Sequence, residues 1–326
     1  SRNASWIFAV SAPMLEQTVK NILNARVYEA AIETPLEKAE FLSRRLNNRV
    51  FIKREDLQPV FSFKLRGAYN KMIALTQAER AQGVICASAG NHAQGVAEAA
   101  RLMGVASTIV MPTTTPEIKV ASVRARGGDA VLHGDTFDEA LAHARQLQAA
   151  GNLTFIHPYD DAYVIAGQGT VAREILHQHK GADIHAVFVP VGGGGLIAGM
   201  AAYLKYLQPN ILVIGVEFEE SACLSAALQA QSRVILDQVG IFADGIAVAQ
   251  IGAEPWKICQ NCVDEVITVS SDEICAAVKD IFDDTRSITE PAGAVSAAGM
   301  KKYVEREGCE NKTLVTVSSG ANTNFD

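Results

Sequence analysis

Apolar positions in this chain come in blocks rather than in strict alternation. Short runs that are apolar throughout recur along it, among them Val84-Ile85-Cys86-Ala87, Thr108-Ile109-Val110-Met111, Ala186-Val187-Phe188-Val189-Pro190-Val191 and Ile211 to Val216. Val50-Phe51-Ile52, Ala130-Val131-Leu132, Thr154-Phe155-Ile156, Val266 to Val269 and Thr313 to Val317 belong to the same class. A strand that is apolar on both faces must be covered on both faces, and strands separated by helical stretches pair in parallel. The expected fold class is therefore α/β, with two doubly wound parallel-sheet lobes and a cleft between them.

The stretches between these runs carry helix signals. Thr76-Gln77-Ala78-Glu79 and Thr136-x-x-Glu139 have capping-box spacing, and Gly83 and Gly151 are placed as stops. The spacing predicts helices over Met14 to about Ala25, from the strand ending at Ala87 to Met103, over residues 164–178 and 196–207, and from Asp272 and Pro291. Thr34-Pro35-Leu36 reads as an N-cap with proline at the first helical position, and Thr115-Pro116 repeats that signal for a helix ending at Gly127-Gly128. Residues 1–70 and 160–326 are assigned to a larger lobe and 71–159 to a smaller one.

Composition narrows the classes. With 326 residues, 48% of them hydrophobic, the chain can bury enough core for two lobes. A net charge of −7 and a pI near 5.6 argue against a nucleic-acid partner or an anionic membrane surface. No apolar run is long enough to span a bilayer, and Pro13 interrupts the signal-like run at 6–15. The six cysteines (Cys86, Cys223, Cys259, Cys262, Cys275, Cys309) lie mostly in apolar segments. They read as reduced core residues of a cytoplasmic protein. Cys259-x-x-Cys262 has metal-ligand spacing but no second pair, so no metal site is expected. His177-x-His179 reads as solvated.

Three stretches carry chemistry. In Phe61-Ser62-Phe63-Lys64-Leu65-Arg66-Gly67-Ala68 a lysine sits in apolar company at the start of a helix. Withdrawal from water lowers an amine's pKa, and a neutral amine can form a Schiff base with an aldehyde. Read alone, the octapeptide better suits a surface lysine with its stem on the phenylalanines, and the two stretches that follow reverse that judgement. In Ser88-Ala89-Gly90-Asn91-His92-Ala93-Gln94-Gly95 a strand-to-helix turn presents backbone N–H groups to a carboxylate or phosphate. A plain tight turn with a capping Asn would use the same residues. The third stretch is Val189-Pro190-Val191-Gly192-Gly193-Gly194-Gly195-Leu196-Ile197. A turn needs one or two glycines, whereas four allow the backbone to wrap a phosphate. A dinucleotide fingerprint would require glycine at 197, where Ile stands. Glu217 nonetheless falls near the expected ribose-binding acid, about 20 residues on, which leaves a nicotinamide oxidoreductase as a rival.

Taken together, these stretches resemble the threonine deaminases of the fold-type II (tryptophan synthase β) class of pyridoxal-phosphate enzymes. The likeness extends to Lys53-Arg54-Glu55-Asp56, Ile165-Ala166-Gly167-Gln168-Gly169-Thr170, Glu290-Pro291-Ala292-Gly293-Ala294 and Ser319-Gly320-Ala321-Asn322. It runs in family order from about residue 28 to the end, and Gly320 to Phe325 is most similar to the biosynthetic members. The resemblance implies that Lys64 carries pyridoxal 5'-phosphate through a Schiff base, with Phe63 beside the ring and Asn91 on its phenolic oxygen. It places the phosphate on Gly192, Gly193, Gly194, Gly195 and Leu196, and Ser319 against the pyridine nitrogen. Ser88, Ala89, Gly90, Asn91 and His92 would line the substrate carboxylate pocket, with Gly245 and Glu290 bordering the cofactor.

A hydroxyl opposite the ring nitrogen makes a milder electron sink than an Asp would, which suits β-elimination. The implied reaction is deamination of L-threonine, and of L-serine, to a 2-oxoacid and ammonia at the head of isoleucine biosynthesis. Lys64 would act as the base, in a cytoplasmic homodimer or homotetramer. Serine racemase, serine dehydratase and catabolic threonine deaminase share these motifs and are the near alternatives. Some serine racemases hold a cation at the segment matching Glu217 to Cys223. An acid is expected where Cys223 stands, which weighs against a divalent ion and leaves a monovalent one open. Biosynthetic members also carry a C-terminal domain that binds isoleucine, and these 326 residues are expected to match the catalytic part alone.

Overall fold

The computed structural model describes residues 12–179 and 183–324, so most of the apolar run at 6–15 and Phe325 lie outside the described residues. In chain order, α1 (Ala12–Leu23) leads to β1 (Leu36–Lys38), α2 (Glu40–Arg45) and β2 (Arg49–Arg54). Next come α3 (Lys64–Ile73), α4 (Gln77–Gln82), β3 (Val84–Ala87), α5 (Asn91–Met103), β4 (Ser107–Met111), α6 (Glu117–Ala125), β5 (Asp129–Leu132), α7 (Phe137–Gly151) and β6 (Thr154–Phe155). The chain continues through α8 (Ala162–His179), β7 (Ile184–Pro190), α9 (Gly195–Leu207), β8 (Leu212–Phe218), α10 (Cys223–Ala230) and α11 (Ala253–Cys262). It closes with β9 (Glu265–Val269), α12 (Ser271–Thr285), α13 (Pro291–Glu307) and β10 (Thr313–Ser318).

Two sheets result, a six-stranded one in the order β1-β2-β10-β7-β8-β9 and a four-stranded one in the order β5-β4-β3-β6. Every pairing is parallel except β1 with β2. The expected two-sheet α/β class is what the chain adopts. The period-2 alternation of strand side chains divides the large sheet's cover. Val187, Val189, Val213, Val315 and Val317 face α1, α8 and α9, while Ala186, Phe188, Ile214, Val216 and Leu314 face α12 and α13. In the smaller sheet, Val84, Cys86, Ile109 and Met111 share one apolar cluster with Leu65, Ala68 and Met72 of α3. Thus the helix that starts at Lys64 is packed on the four-stranded sheet while its entry comes from the six-stranded one.

The capping boxes at Thr76 and Thr136 are formed as their spacing predicts. Thr34-Pro35 is different. No helix starts there; Leu36–Lys38 is a strand antiparallel to β2, and the helix waits until Glu40. The Thr34 hydroxyl, expected as a cap, donates to Glu55 Oε1 at 2.5 Å instead. Thr115 does not cap α6 either, since Pro116 holds that position and the Thr115 hydroxyl is buried without a partner. Of the cysteines, Cys275 is exposed on α12 rather than in the core. His179 is packed rather than solvated, edge-on to Phe51 and 2.9 Å from Asp183. No helix among the described residues is long and apolar enough to cross a membrane.

The Lys53-Arg54-Glu55-Asp56 motif is explained by a buried set of charges. The Arg66 guanidinium reaches Glu55 at 2.6 and 2.8 Å and Glu174 at 2.9 Å, and also donates to Thr170. The Lys53 ammonium donates to Glu174 at 2.8 Å and to the Thr34 carbonyl at 2.5 Å. Two cations face two anions, each no more than 3% exposed, so the set is neutral where isolated charges would be costly. Burial alone would raise the Glu55 pKa, but Arg66 outweighs it and holds the carboxyl below its ordinary value. Arg66→Met leaves two carboxylates buried without their shared partner. It should cost about 3–5 kcal/mol in urea unfolding of the cofactor-free protein, whereas Lys257→Met, whose partner Glu254 is on the surface, should change little.

Candidate active site

Strand β2 delivers the chain to the site through Glu55–Leu57 and a loop that ends at Phe63. Within that loop Phe61 takes φ +60°, a costly value for a bulky residue. Hydrogen bonds to the segment after β10 fix it there. Phe63 N–H donates to the Ser319 carbonyl at 3.2 Å, Ala321 N–H donates to the Phe61 carbonyl at 2.9 Å, and Ser62 bridges Gly320. Lys64 is then the first residue of α3. Its Nζ donates to the Pro158 carbonyl at 3.0 Å and lies 5.2 Å from the Phe63 ring centroid. Desolvation brings the amine down to about 8, against the opposing charge of Glu290. A helix N-terminus, with its partial positive charge, disfavours an ammonium as well.

The other predicted residues gather at the ends of neighbouring parallel strands, where α/β folds bind ligands. Ser88, Ala89, Gly90 and Asn91 follow β3, and Gly90 N–H donates to the Ser88 hydroxyl at 3.2 Å. Asn91 opens α5, and His92 Nε2 donates to the Ile156 carbonyl at 2.8 Å, just past β6. Burial pushes His92 down to about 3, so its ring is neutral, and the carbonyl partner places its proton on Nε2. Ser319 follows β10, beside the end of β7, and its hydroxyl donates to the Ala292 carbonyl at 3.4 Å. Glu290 precedes α13 and accepts from Asn91 Nδ2 at 2.5 Å. Burial raises the Glu290 carboxyl to about 7. A side chain at Gly245 would come within 3.4 Å of Glu290 Oε1, which puts this glycine at the same spot.

The glycine run turns from β7 into α9. Gly194 takes φ +95° as the N-cap, and Ala198 N–H donates back to its carbonyl. Among the described residues no protein acceptor meets the N–H groups of Gly192, Gly193 or Gly194. The first N–H groups of a helix also lack partners within it. These donors at the positive end of α9 suit a phosphate. Gly193 has a further reason to be glycine, because a Cβ there would fall 2.2 Å from the Tyr159 ring. Tyr159 thus lies against the glycine run one residue after the Pro158 carbonyl that holds Lys64. A half-buried amine, an N–H cradle and a hydroxyl past β10 form a donor set that fits pyridoxal phosphate.

Sequence reasoning assigned nothing to Pro158, Tyr159 or Asn322, although a proline two residues after the strand signal Thr154-Phe155-Ile156 marks the first. Glu217 is overturned as a ribose-binding acid. Its buried carboxylate accepts from Leu224 N–H at 2.7 Å and Ser225 N–H at 2.9 Å, capping α10 where Ala222 supplies no side-chain cap. Burial raises it to about 7. Cys223 donates its thiol to the Gly192 carbonyl at 3.4 Å. Cys259 and Cys262 are buried in the core beside α9, and no group of three or more His, Cys, Asp or Glu among the described residues could hold a metal ion.

Comparison with known proteins agrees with this geometry. The family model of pyridoxal-phosphate dependent enzymes matches residues 27–320. The biosynthetic L-threonine dehydratase of Burkholderia multivorans is 58% identical over 311 residues, covering 94% of this chain and 61% of that protein. This chain therefore spans about three fifths of the length of that curated relative. The processed form of threonine deaminase isoform 2 from Solanum lycopersicum superposes with a TM-score of 0.94 at 51% identity, covering 97% of this chain and 91% of that one. Serine racemase from Dictyostelium discoideum gives 0.86 at 28% identity, covering 94% and 99%. The chain belongs to the pyridoxal-phosphate dependent enzymes, in the fold-type II class.

A lowered amine pKa predicts how the cofactor loads. Below about 8 the Lys64 ammonium dominates and cannot attack an aldehyde; above it the neutral amine does. The rate of pyridoxal phosphate uptake by cofactor-free protein, followed by visible absorbance, should rise with pH and level off just above 8. An ordinary lysine would keep climbing towards 10.4.

Proposed function

We propose that this chain deaminates L-threonine, and L-serine, by β-elimination of water. The observation that carries this reading is the half-buried Lys64 amine, held on the Pro158 carbonyl between the Ser88–His92 turn and the glycine run. Bound pyridoxal phosphate supplies an electron sink for a negative charge at the substrate's α-carbon. Gly192, Gly193, Gly194, Gly195 and Leu196 hold its phosphate, Ser319 meets the ring nitrogen, Asn91 meets the ring oxygen, and Phe63 packs beside the ring.

N–H groups at the start of α5 bind the substrate carboxylate, with Ser88, Ala89 and Gly90 shaping the turn around it. Lys64 Nζ removes the α-proton as general base. The bond from the β-carbon to its hydroxyl breaks, and that oxygen takes up a proton and leaves as water, matching the proton that Lys64 took from the α-carbon. A second water then replaces the nitrogen, so threonine yields 2-oxobutanoate and ammonia with no net change in water. Neutral His92 keeps a second cation away from Lys64. The kinship with biosynthetic dehydratases supports a place at the start of isoleucine synthesis.

The chain is read as a cytoplasmic homo-oligomer. Free thiols at all six cysteines suit a reducing compartment. Ile32, Leu57 and Phe61 stand exposed around Gln58 and could meet a second copy. Light scattering after size exclusion tests the assembly.

Lys64→Ala should cut 2-oxobutanoate formation by roughly a thousandfold. Steady-state rates of the intact enzyme on L-threonine and L-serine should give 2-oxoacid from both, with kcat/KM within about 10–200-fold of each other, the worth of one methyl. D-serine as the main product from L-serine would transfer the assignment to a racemase, and full activity in Lys64→Ala would refute it.

A further inference from the structure

The segment after β10 does more than fasten the Lys64 loop. Asn322 Nδ2 donates to the Val60 carbonyl at 2.8 Å and to Asn91 Oδ1 at 2.7 Å. Its backbone N–H donates to Glu290 Oε2 at 3.0 Å, while Asn91 Nδ2 donates to Glu290 Oε1. Three segments remote in sequence thus close a ring of hydrogen bonds around one amide.

The ring has a direction. A backbone carbonyl can only accept, so the Asn322 atom facing Val60 must be its nitrogen. The second hydrogen of that nitrogen then requires an acceptor, and the Asn91 atom facing it must be oxygen. The Asn91 nitrogen is thereby turned towards Glu290, and one of its two hydrogens is left over. We propose that Asn322 is a positioning residue that sets the amide orientation of Asn91, so that Asn91 offers the cofactor ring oxygen a donor rather than an acceptor. The orientation is anchored at Val60, four residues before Lys64, so the lysine and the amide are held from one backbone. Gly320 makes room for this arrangement, since a Cβ there would fall 2.5 Å from Glu290 Oε1.

Asn322→Asp changes the group's charge and hydrogen bonding but hardly its volume. A carboxylate cannot donate to Val60 or to Asn91 Oδ1, and it would reward the flipped amide. A role in packing alone makes Asn322→Ala the worse substitution, whereas a role in orientation makes Asn322→Asp the worse one. The inference rests on the reading of Lys64 and Asn91 as cofactor contacts, and a double-mutant cycle on the holoenzyme separates the two.

The measurements are the dissociation constant of pyridoxal phosphate and the pH dependence of the visible absorption of the bound cofactor. Asn322→Asp should weaken the cofactor by about tenfold or more and shift that pH dependence, with Asn322→Ala milder. In an Asn91→Ala background, Asn322→Asp should add almost nothing. Should Asn322→Asp fail to fold, Asn322→Ala is carried through the same cycle. Additive effects, or wild-type affinity and spectrum in the folded variant, overturn the role of Asn322 while leaving the site intact. An unchanged affinity in Asn91→Ala alone overturns the reading of Asn91 and this inference with it.

Discussion

Four buried charges fix the start of the helix on which Lys64 stands. Lys53 comes from β2, Glu55 from the turn after it, Arg66 from the first turn of α3 and Glu174 from α8. Arg66 is two residues beyond Lys64, so the carboxylates that hold its guanidinium also hold the start of the helix. A neutral quartet of this kind contributes little net stability compared with an apolar replacement, but losing one member leaves an unpaired charge in the core. Its value is positional. One lysine is paired with a carboxylate at 53, and another is kept short of partners at 64.

The remainder of the site follows from topology. Placing β10 between β2 and β7 brings the ends of all three strands together. Ser319, the glycine run and the Lys64 loop therefore meet without any long-range adjustment. The smaller sheet adds the ends of β3 and β6, from which come the Asn91 turn and the Pro158 carbonyl. Helix α8 joins the two halves by close approach. Gly167 meets the Arg66 carbonyl where a Cβ would stand 2.6 Å away, and Gly199 of α9 meets α8 at 2.4 Å in the same sense. The Ile165-to-Thr170 motif thus sets the spacing between α3, which begins at Lys64, and α9, which follows the glycine run.

Much of this was legible in the residues, and the limits have physical causes. Capping boxes at Thr76 and Thr136, the positive-φ stop at Gly83 and the helix start at Pro291 are local devices, and each was found where its spacing put it. Thr34 was misread because its hydroxyl answers to Glu55, 21 residues away, rather than to its own backbone. Glu217 resembled a ribose ligand because spacing cannot reveal that its carboxylate caps α10. Gly193 was assigned to a phosphate, yet the Tyr159 ring demands glycine there as well. Pro158 and Asn322 act through a carbonyl and an amide whose partners lie 94 and 231 residues distant. No pattern along the chain carries that information.

The central claim is that Lys64, among all the lysines of the chain, is the one the fold prepares for an aldehyde. Borohydride reduction of the holoprotein, followed by peptide mass spectrometry, tests it directly. The phosphopyridoxyl mass should appear on Lys64 at one per chain, with Lys53 unlabelled. Label on Lys53 or on any other lysine, with Lys64 free, would contradict the account.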